Sequence, residues 1–567
     1  MKYTGAQIVI ECLVEKGVDT VFGFPGGTIL NIYDELFKSS DRIRHIRTAH
    51  EQGACHAADG YARISGKVGV VMATSGPGCT NLVTGIATAY MDSVPMVAIT
   101  CNVPTTLMGK DSFQEVDITG ITMSITKHNY IVRDVSKLAD VVREAFDLAL
   151  CGRPGPVLID IPKDVTAHVT EFEPIPVGES KPSAAVLRCL GKTPFPSDHE
   201  LDEVAAMLSE SKRPFFYVGG GVVSSNATQE LQALAEKINA AVSVSLMGKS
   251  AFPSKHPLCT GMIGMHGTKA SNTAANKSDL LVAIGARFSD RVISDPSKFA
   301  RESRIVQIDI DPAEINKNVQ TAACLKGNIK DILTALQERV VARSSSEWNT
   351  QIDKWKEHVP PMYSKKTPLH PKFVLEAVHE RVGDEAVIST EVGQHQMWVA
   401  QFYPFQKPRT FLTSGGLGTM GYGTGAAIGA QIADPKRRVV HVAGDGSFRM
   451  NLNELATIAT YKLPIIIIIA NNGTLGMVRQ WQTMFYDKRY SATTLDTSSP
   501  DFVKLAESFG IAGYRATNEK EFITAFEAAL ASNKAAVIDS NMDIDEMVLP
   551  MVPAGKPIDE LLLDTQL

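Results

Sequence analysis

The chain is 567 residues long, against roughly 150 for an ordinary domain, so it is expected to hold three or four domains. Hydrophobic residues make up 44% and charged residues 21%, the balance of a globular protein with material for several cores. A net charge of −6 offers no polycationic face for nucleic acid, and the longest apolar run, IIIIIA at 465–470 after Pro464, falls far short of the roughly 18 residues that cross a bilayer, so neither a nucleic-acid nor a membrane partner is expected.

The N-terminus, MKYTGAQIVIECLVEKG, opens at once as an amphipathic helix, which predicts no signal or transit segment and a cytoplasmic address. The first block spans 1–165: TVFGFPGG leads into a helix, VGVVMATSGPG into another, and PMVAIT reads as a further strand. A Pro- and Ser-rich stretch near 174–198 reads as a linker. The second block, 190–342, places the strands PFFYVGGG, DLLVAIGARF and RIVQIDIDP between helical stretches. The third spans 368–548, and 549–567 follow as a C-terminal segment. This strand–helix–strand rhythm predicts an α/β protein of three doubly wound parallel-sheet domains. Within it, the Ile-rich run 465–470 suits a central strand buried on both faces. The eight cysteines (Cys12, Cys55, Cys79, Cys101, Cys151, Cys189, Cys259, Cys324) form no C-x-x-C pair and are expected as reduced thiols.

An internal echo links the first and third blocks. Residues 68–102 read strand, Gly turn, helix, proline, strand, Asn, and residues 439–472 read the same way. The third block has Asp445 in its turn where the first has Pro77 between glycines. Two related folds of which one carries an acid suggest that they hold different ends of one ligand. Unrelated units sharing this common rhythm would read alike.

Gly444-Asp445-Gly446 is followed, one helix and one strand later, by Asn471-Asn472. Glycines at a strand end let backbone N–H groups approach phosphate oxygens. Asp445 offers a hard carboxylate oxygen and Asn472 a neutral amide oxygen, which suits Mg²⁺, a cation that takes such ligands together with phosphates and water. GDG alone reads equally as a tight turn. Joined to NN across a helix and a buried strand, it resembles the magnesium–diphosphate motif of thiamine-diphosphate enzymes. That resemblance implies a third metal ligand from the backbone carbonyl of Thr474, and a diphosphate cradle that includes Ser447.

Such enzymes need a carboxyl group on the cofactor's aminopyrimidine, and the resemblance assigns this to Glu51 in HEQGA. Taken alone, a Glu opening a helix is a dipole partner or cap. The glycine-rich stretch FLTSGGLGTMGYGTGAAIGA at 411–430 reads as a loop with helix-packing glycines. By the same resemblance Gly418 borders the cofactor there, and Met420 is the polarizable shelf under its two rings.

The resemblance then narrows, over essentially the whole chain, to the acetolactate (acetohydroxyacid) synthases. VFGFPGG, HEQGACHAADGYAR, SGPGCTNLVTGIATAYMDSVP, FQEVDI, TKHNY and GRPGPVLIDIPKDV carry it in the first block. LMGKSAFPSKHPLCTGMIGMHGT and GARFSDRV carry it in the second, and NNGTLGMVRQWQ, FYDKRYS and VLPMVPAG in the third. Thr28, Thr424 and Asn328 depart from the usual pattern. What the family implies is a pyrimidine-binding domain (1–165), a central FAD-binding domain (190–342), a diphosphate- and Mg-binding domain (368–548) and a lid (549–567).

The central triplet Gly219-Gly220-Gly221 is not a full G-x-G-x-x-G, and a structural turn accounts for it equally. The match of 246–268 and 285–292 to the flavin-containing branch implies FAD contacts from Leu246, Met247, His266, Gly285, Arg287, Asp290 and Val292. Asp309 and Ile310 are implied at the end of the next strand. The flavin has no redox task in forming acetolactate.

The implied reaction decarboxylates pyruvate and transfers the two-carbon unit to a second 2-oxo acid. Pyruvate as acceptor gives acetolactate and 2-oxobutyrate gives acetohydroxybutyrate, the first common step of branched-chain amino acid biosynthesis. The family places Arg287 on the acceptor carboxylate, where a guanidinium binds in a bidentate way; a structural salt bridge is the alternative. Gln114 and Lys163 are implied as pocket residues and Gly27 near the reacting carbon. Phe113, Met265, Met477 and Val478 supply apolar wall, and Trp481 packs on the extra carbon of 2-oxobutyrate. The histidines near these motifs (His50, His128, His266, His395) are read mainly as structural. In the family, active sites lie between chains, so a homodimer is the minimum active unit, and feedback control would need a separate small subunit. Other enzymes on the same cofactor, such as pyruvate oxidase or oxalyl-CoA decarboxylase, and a silent paralogue are the competing readings.

Overall fold

The computed structural model describes residues 1–179, 181–183, 186–187, 195–344, 346–357, 369–495 and 500–563. Cys189, the expected boundaries at 190 and 368, part of the linker near 174–198 and the last four residues of 549–567 lie outside these.

The stretch from Met1 to Glu171 contributes eight strands: Lys2–Thr4 (β1), Thr20–Phe24 (β2), Arg44–Arg47 (β3), Gly69–Ala73 (β4), Met96–Asn102 (β5), His128–Ile131 (β6), Pro156–Pro162 (β7) and Val169–Glu171 (β8). β1 and β8 form a small antiparallel ribbon, and the other six form a parallel sheet in the order β3-β2-β4-β5-β7-β6. β4, β5 and β7 are buried along their whole length, as continuous apolar runs with helices on both faces must be.

The second sheet is built from Pro214–Val218 (β9), Ala241–Val244 (β10), Cys259–Met262 (β11), Leu280–Ile284 (β12), Arg304–Asp309 (β13) and Ala323–Lys326 (β14), ordered β11-β10-β9-β12-β13-β14. The third uses Val387–Thr390 (β15), Phe411–Leu412 (β16), Val439–Gly444 (β17), Ile466–Asn471 (β18), Ala512–Ala516 (β19) and Ala536–Asn541 (β20), ordered β16-β15-β17-β18-β20-β19. The Ile-rich run lies in β18, an interior strand buried at all but its last residue.

Numbered within each sheet, the first and third share the order 2-1-3-4-6-5, whereas the middle sheet is 3-2-1-4-5-6. The internal echo is therefore an identity of topology. The middle order is that of dinucleotide-binding folds, whose ligands lie at the point where strand order reverses.

The first and third sheets share one core. Helix Glu51–Ser65 packs on helix Gly423–Ala433 so closely that a Cβ on Gly60 would stand 2.2 Å from the carbonyl oxygen of Ala426, and one on Gly429 would stand 1.9 Å from that of Ala57. Gly60, Gly425 and Gly429 are thus helix-packing residues. Arg63 is half-buried at this seam. It pairs with Asp59 (2.7 Å) and Asp92 (3.0 Å) and donates to the Thr413 carbonyl.

The segment after Val548 crosses to the middle domain. Val552 N–H donates to the Met265 carbonyl, Asn272 donates to that of Ile558, and Ile558 is buried in the middle domain's second core cluster. Cysteines 12, 55, 79, 101, 259 and 324 are free, but Cys151 is disulfide-bonded. The expectation of uniformly reduced thiols fails there, because it rested on spacing, which says nothing of pairs distant in sequence.

Candidate active site

β17 and β18 are neighbours with Gly444 opposite Ala470. The interval of one helix and one strand between GDG and NN therefore sets the turn after one strand beside the turn after the next. A Cβ on Gly444 would stand 2.6 Å from His395 Nδ1, so the chain passes there only as glycine. Asp445 opens a short helical turn and is almost wholly buried, and neither carboxylate oxygen has a hydrogen-bond partner of normal geometry. Burial pushes this carboxyl up to about 6, against the pull of nearby N–H groups of Asp445, Gly446, Gly473 and Asn472. Asn472 Nδ2 donates to Gln394 (3.1 Å), while its Oδ1 accepts the Thr474 N–H at 3.3 Å.

An orphaned buried carboxylate beside a side-chain amide oxygen and a strand-end carbonyl is a donor set for a small hard cation with sites left for phosphate and water. Among the described residues no group of three or more His, Cys, Asp and Glu could hold a metal unaided. The residues present fit Mg²⁺ shared with a diphosphate. Gly446 and Ser447 continue the turn, with Ser447 Oγ donating to Glu391 at 3.0 Å.

The 411–424 loop rises beside this turn. Gly418 (φ +71°) and Gly421 (φ +85°) flank Met420, which is half-buried. Met477 stands in helix Gly476–Phe485 against the third domain's core, while Val478 is exposed. Trp481 is half-buried and belongs to no core cluster; its ring lies 5.2 Å from that of Phe485.

In the first domain the site residues sit beyond the C-terminal ends of β2, β3, β4, β5 and β7, as parallel sheets dictate. Glu51 is the first residue of its helix, but His50 provides the cap by accepting Gln52 N–H. The Glu51 carboxylate instead takes a 2.9 Å hydrogen bond from Asn81 Nδ2. Thr28 ties the FPGG turn to the SGPG turn through Thr74 (2.9 Å) and Ser75, and nothing stands within 4 Å of a Cβ built on Gly27. Gln114 adopts φ +59° and packs on Gly76, a strained backbone of the kind that collects at functional sites. Phe113 beside it is 88% exposed. Lys163 begins the helix after β7 and its ammonium pairs with no described acid.

In the middle domain, Gly219–Gly221 follow β9 and Gly285–Arg287 follow β12, the two strands at which order reverses. A Cβ on Gly219 would stand 2.1 Å from the Gly285 carbonyl oxygen. Asp309 ends β13, and burial pushes its carboxyl up to about 6. Ile310 follows it half-buried, Val292 is buried and Asp290 exposed. The Arg287 carbonyl accepts the Tyr217 hydroxyl, while its half-buried guanidinium has no described partner. Leu246 and Met247 reach the third domain, where a Cβ on Gly415 would stand 2.3 Å from the Met247 sulfur. Met265 and His266 contact the C-terminal segment, His266 Nδ1 lying 3.3 Å from the Pro550 carbonyl. Burial lowers the His266 imidazole to about 4, so it is neutral there.

The structure brings Asp445, Gly446, Ser447, Asn472 and Thr474 together, and Glu51 with Gly27, Gln114 and Lys163 on the first sheet's edge. Among the described residues no hydrogen bond or ion pair joins Glu51 to the Asp445 turn. Asn81, Gln394 and Glu391 were missed. Their only signal is proximity to SGPG and VGQH in sequence, and their contacts are made by folding.

Residues 3–121 match the thiamine pyrophosphate enzyme N-terminal TPP binding domain, 201–336 the central domain, and 391–540 the C-terminal TPP binding domain. Fold and site together define a thiamine-diphosphate-dependent enzyme. The chain is 46% identical to the probable acetolactate synthase large subunit of Methanocaldococcus jannaschii, covering 97% of this chain and 94% of the relative. It is also 46% identical to the acetolactate synthase of Mycobacterium leprae (98% and 90%) and to the acetolactate synthase large subunit of Corynebacterium glutamicum (98% and 89%). The chain belongs to the acetolactate synthase large-subunit family.

Proposed function

We propose that this chain decarboxylates pyruvate and joins the two-carbon unit to a second 2-oxo acid, giving acetolactate from pyruvate and acetohydroxybutyrate from 2-oxobutyrate. The observation that carries the reading is Asp445: a buried carboxylate with no hydrogen-bond partner of normal geometry among the described residues, set beside Asn472 at the ends of adjacent parallel strands. Asp445, Asn472 and the Thr474 carbonyl would hold Mg²⁺ against the cofactor's diphosphate. Thiamine diphosphate, when bound, supplies the electron sink for decarboxylation.

The chain's own residues do the rest. Glu51, oriented by Asn81, is placed to hold a proton at the aminopyrimidine. Lys163 and Arg287 are cations without described partners, and Arg287 suits the acceptor carboxylate. Gly27 leaves open space, and Gln114, Phe113, Met265, Met477 and Val478 line the approach. The central sheet's strand order and the Asp309 carboxyl, which suits a ribose hydroxyl, support FAD as a structural, non-redox cofactor. Homologues named as large subunits support a separate small regulatory subunit. Among the described residues no helix is long and apolar enough to cross a membrane, and the cytoplasm is the proposed address.

The test is a product assay. Purified protein supplied with pyruvate, thiamine diphosphate and Mg²⁺ is expected to form acetolactate without oxygen, and chelation of Mg²⁺ should abolish this. Acetyl phosphate formed only in the presence of oxygen would overturn the reading. Supplied with both oxo acids, the protein should favour 2-oxobutyrate by roughly 10–200-fold, the worth of one methylene. Trp481→Leu should collapse that ratio in a still-folded protein; an unchanged ratio removes Trp481 from the acceptor pocket.

A further inference from the structure

Behind the two turns assigned to the cofactor lies a carboxylate that no part of the mechanism uses. Glu391, in the turn after β15, has no exposed surface. Its Oε2 accepts the Gly421 N–H at 2.6 Å and the Ser447 hydroxyl at 3.0 Å. Its Oε1 accepts the Thr424 N–H at 3.1 Å and the Thr424 hydroxyl at 3.2 Å. His441 Nε2 stands 3.5 Å from Oε1 and 3.4 Å from Thr424 Oγ1, and its Nδ1 is 2.8 Å from Ser389 Oγ. Burial alone would push the Glu391 carboxyl up, but His441, Ser447 and the Thr424 N–H outweigh it and hold it below the usual carboxylate range. A buried ion with four donors is satisfied; the Gly421 N–H has one longer alternative, the Ser447 hydroxyl at 3.4 Å.

The four donors belong to two stretches of chain. Gly421 directly follows Met420, and Ser447 is two residues beyond Asp445. We propose that Glu391 is a positioning residue that sets the separation between the Met420 turn and the Asp445 turn, and hence between the parts of the protein that receive the two ends of thiamine diphosphate. Thr424, the departure from the usual pattern, is part of this device, since its hydroxyl bridges Glu391 and His441. A side chain without a hydroxyl would leave both short of a partner. The inference rests on the proposed cofactor site.

The experiment measures the activation constant for thiamine diphosphate at saturating Mg²⁺, the turnover at saturating cofactor, and the KM for pyruvate. Glu391→Gln keeps the reach of the side chain but replaces one acceptor oxygen by a donor. It should raise the activation constant roughly 10- to 100-fold, lower saturated turnover, and leave the KM for pyruvate within about twofold. Thr424→Val, nearly isosteric and milder, should raise the activation constant roughly two- to fivefold, and is informative even where Glu391→Gln fails to fold. Folded variants with a lower melting temperature but an unchanged activation constant and turnover would reduce Glu391 to a structural anchor and overturn the proposal. An unaltered protein that shows no activation by thiamine diphosphate would contradict the cofactor site itself.

Discussion

Asp309 and Asp445 each follow or end a parallel strand, and burial raises both to about 6. They differ in partners: Asp309 Oδ1 accepts the Asp311 N–H at 2.9 Å, whereas among the described residues Asp445 has no hydrogen-bond partner of normal geometry. An acid whose folded value lies above its unfolded one binds more protons when folded. Its contribution is fully present below about pH 4 and is lost as pH rises through about 6. A two-unit shift corresponds to roughly 3 kcal/mol. In flavin-free protein, Asp309→Asn should therefore match wild type near pH 4.5 and become the more stable by pH 7.5, as measured by melting temperature. A difference that does not vary with pH would contradict this. At this scale the sequence marks Asp445 as a candidate by the GDG…NN spacing, whereas Glu51 in HEQGA stands out only through the family resemblance. Asn81 and Glu391 have no local signature, because what defines them is a contact 30 residues away in each case.

Among the elements, the pair of helices Glu51–Ser65 and Gly423–Ala433 fixes where the first and third sheets meet. Their contact is backbone on backbone, so a methyl group at Gly429 has no flexible neighbour to displace. Gly429→Ala should destabilise the protein by about 1–3 kcal/mol or more, measured by urea titration, and should lower activity because Glu51 begins the displaced helix. Full stability in that variant would mean the helices are not so closely packed. Strand identity was legible from apolar runs and Gly turns, and the spacing from GDG to NN encodes the adjacency of β17 and β18. The stretch 411–430 reads as a loop with helix-packing glycines, but the partner they pack on, a helix from the opposite end of the chain, has no signal in the sequence. The Arg63–Asp59–Asp92 group was equally hidden; Asp92 holds Gly415 and Gly416 by their N–H groups (3.2 and 2.7 Å), which ties the first domain to the loop bearing Met420.

At the scale of the whole molecule, the single chain leaves large apolar side chains in water near its site loops: Phe113 at 88% exposed, Met123 at 70% and Met450 at 58%. We propose that the protein works as a homodimer or larger assembly, with each site formed by Glu51 of one copy and Asp445 of another. Glu51→Gln should cost about 10²–10⁴-fold in turnover, and Asp445→Ala should lose Mg²⁺ and thiamine diphosphate together, each variant remaining folded. The most direct test mixes these two inactive variants under conditions that exchange subunits. A site shared across a symmetric interface regains one intact copy in every mixed dimer, so an equal mixture should recover roughly a quarter of wild-type acetolactate formation. A mixture that stays as inactive as its components, although mixed dimers are shown to form, would mean that Glu51 and Asp445 serve the same site within one chain.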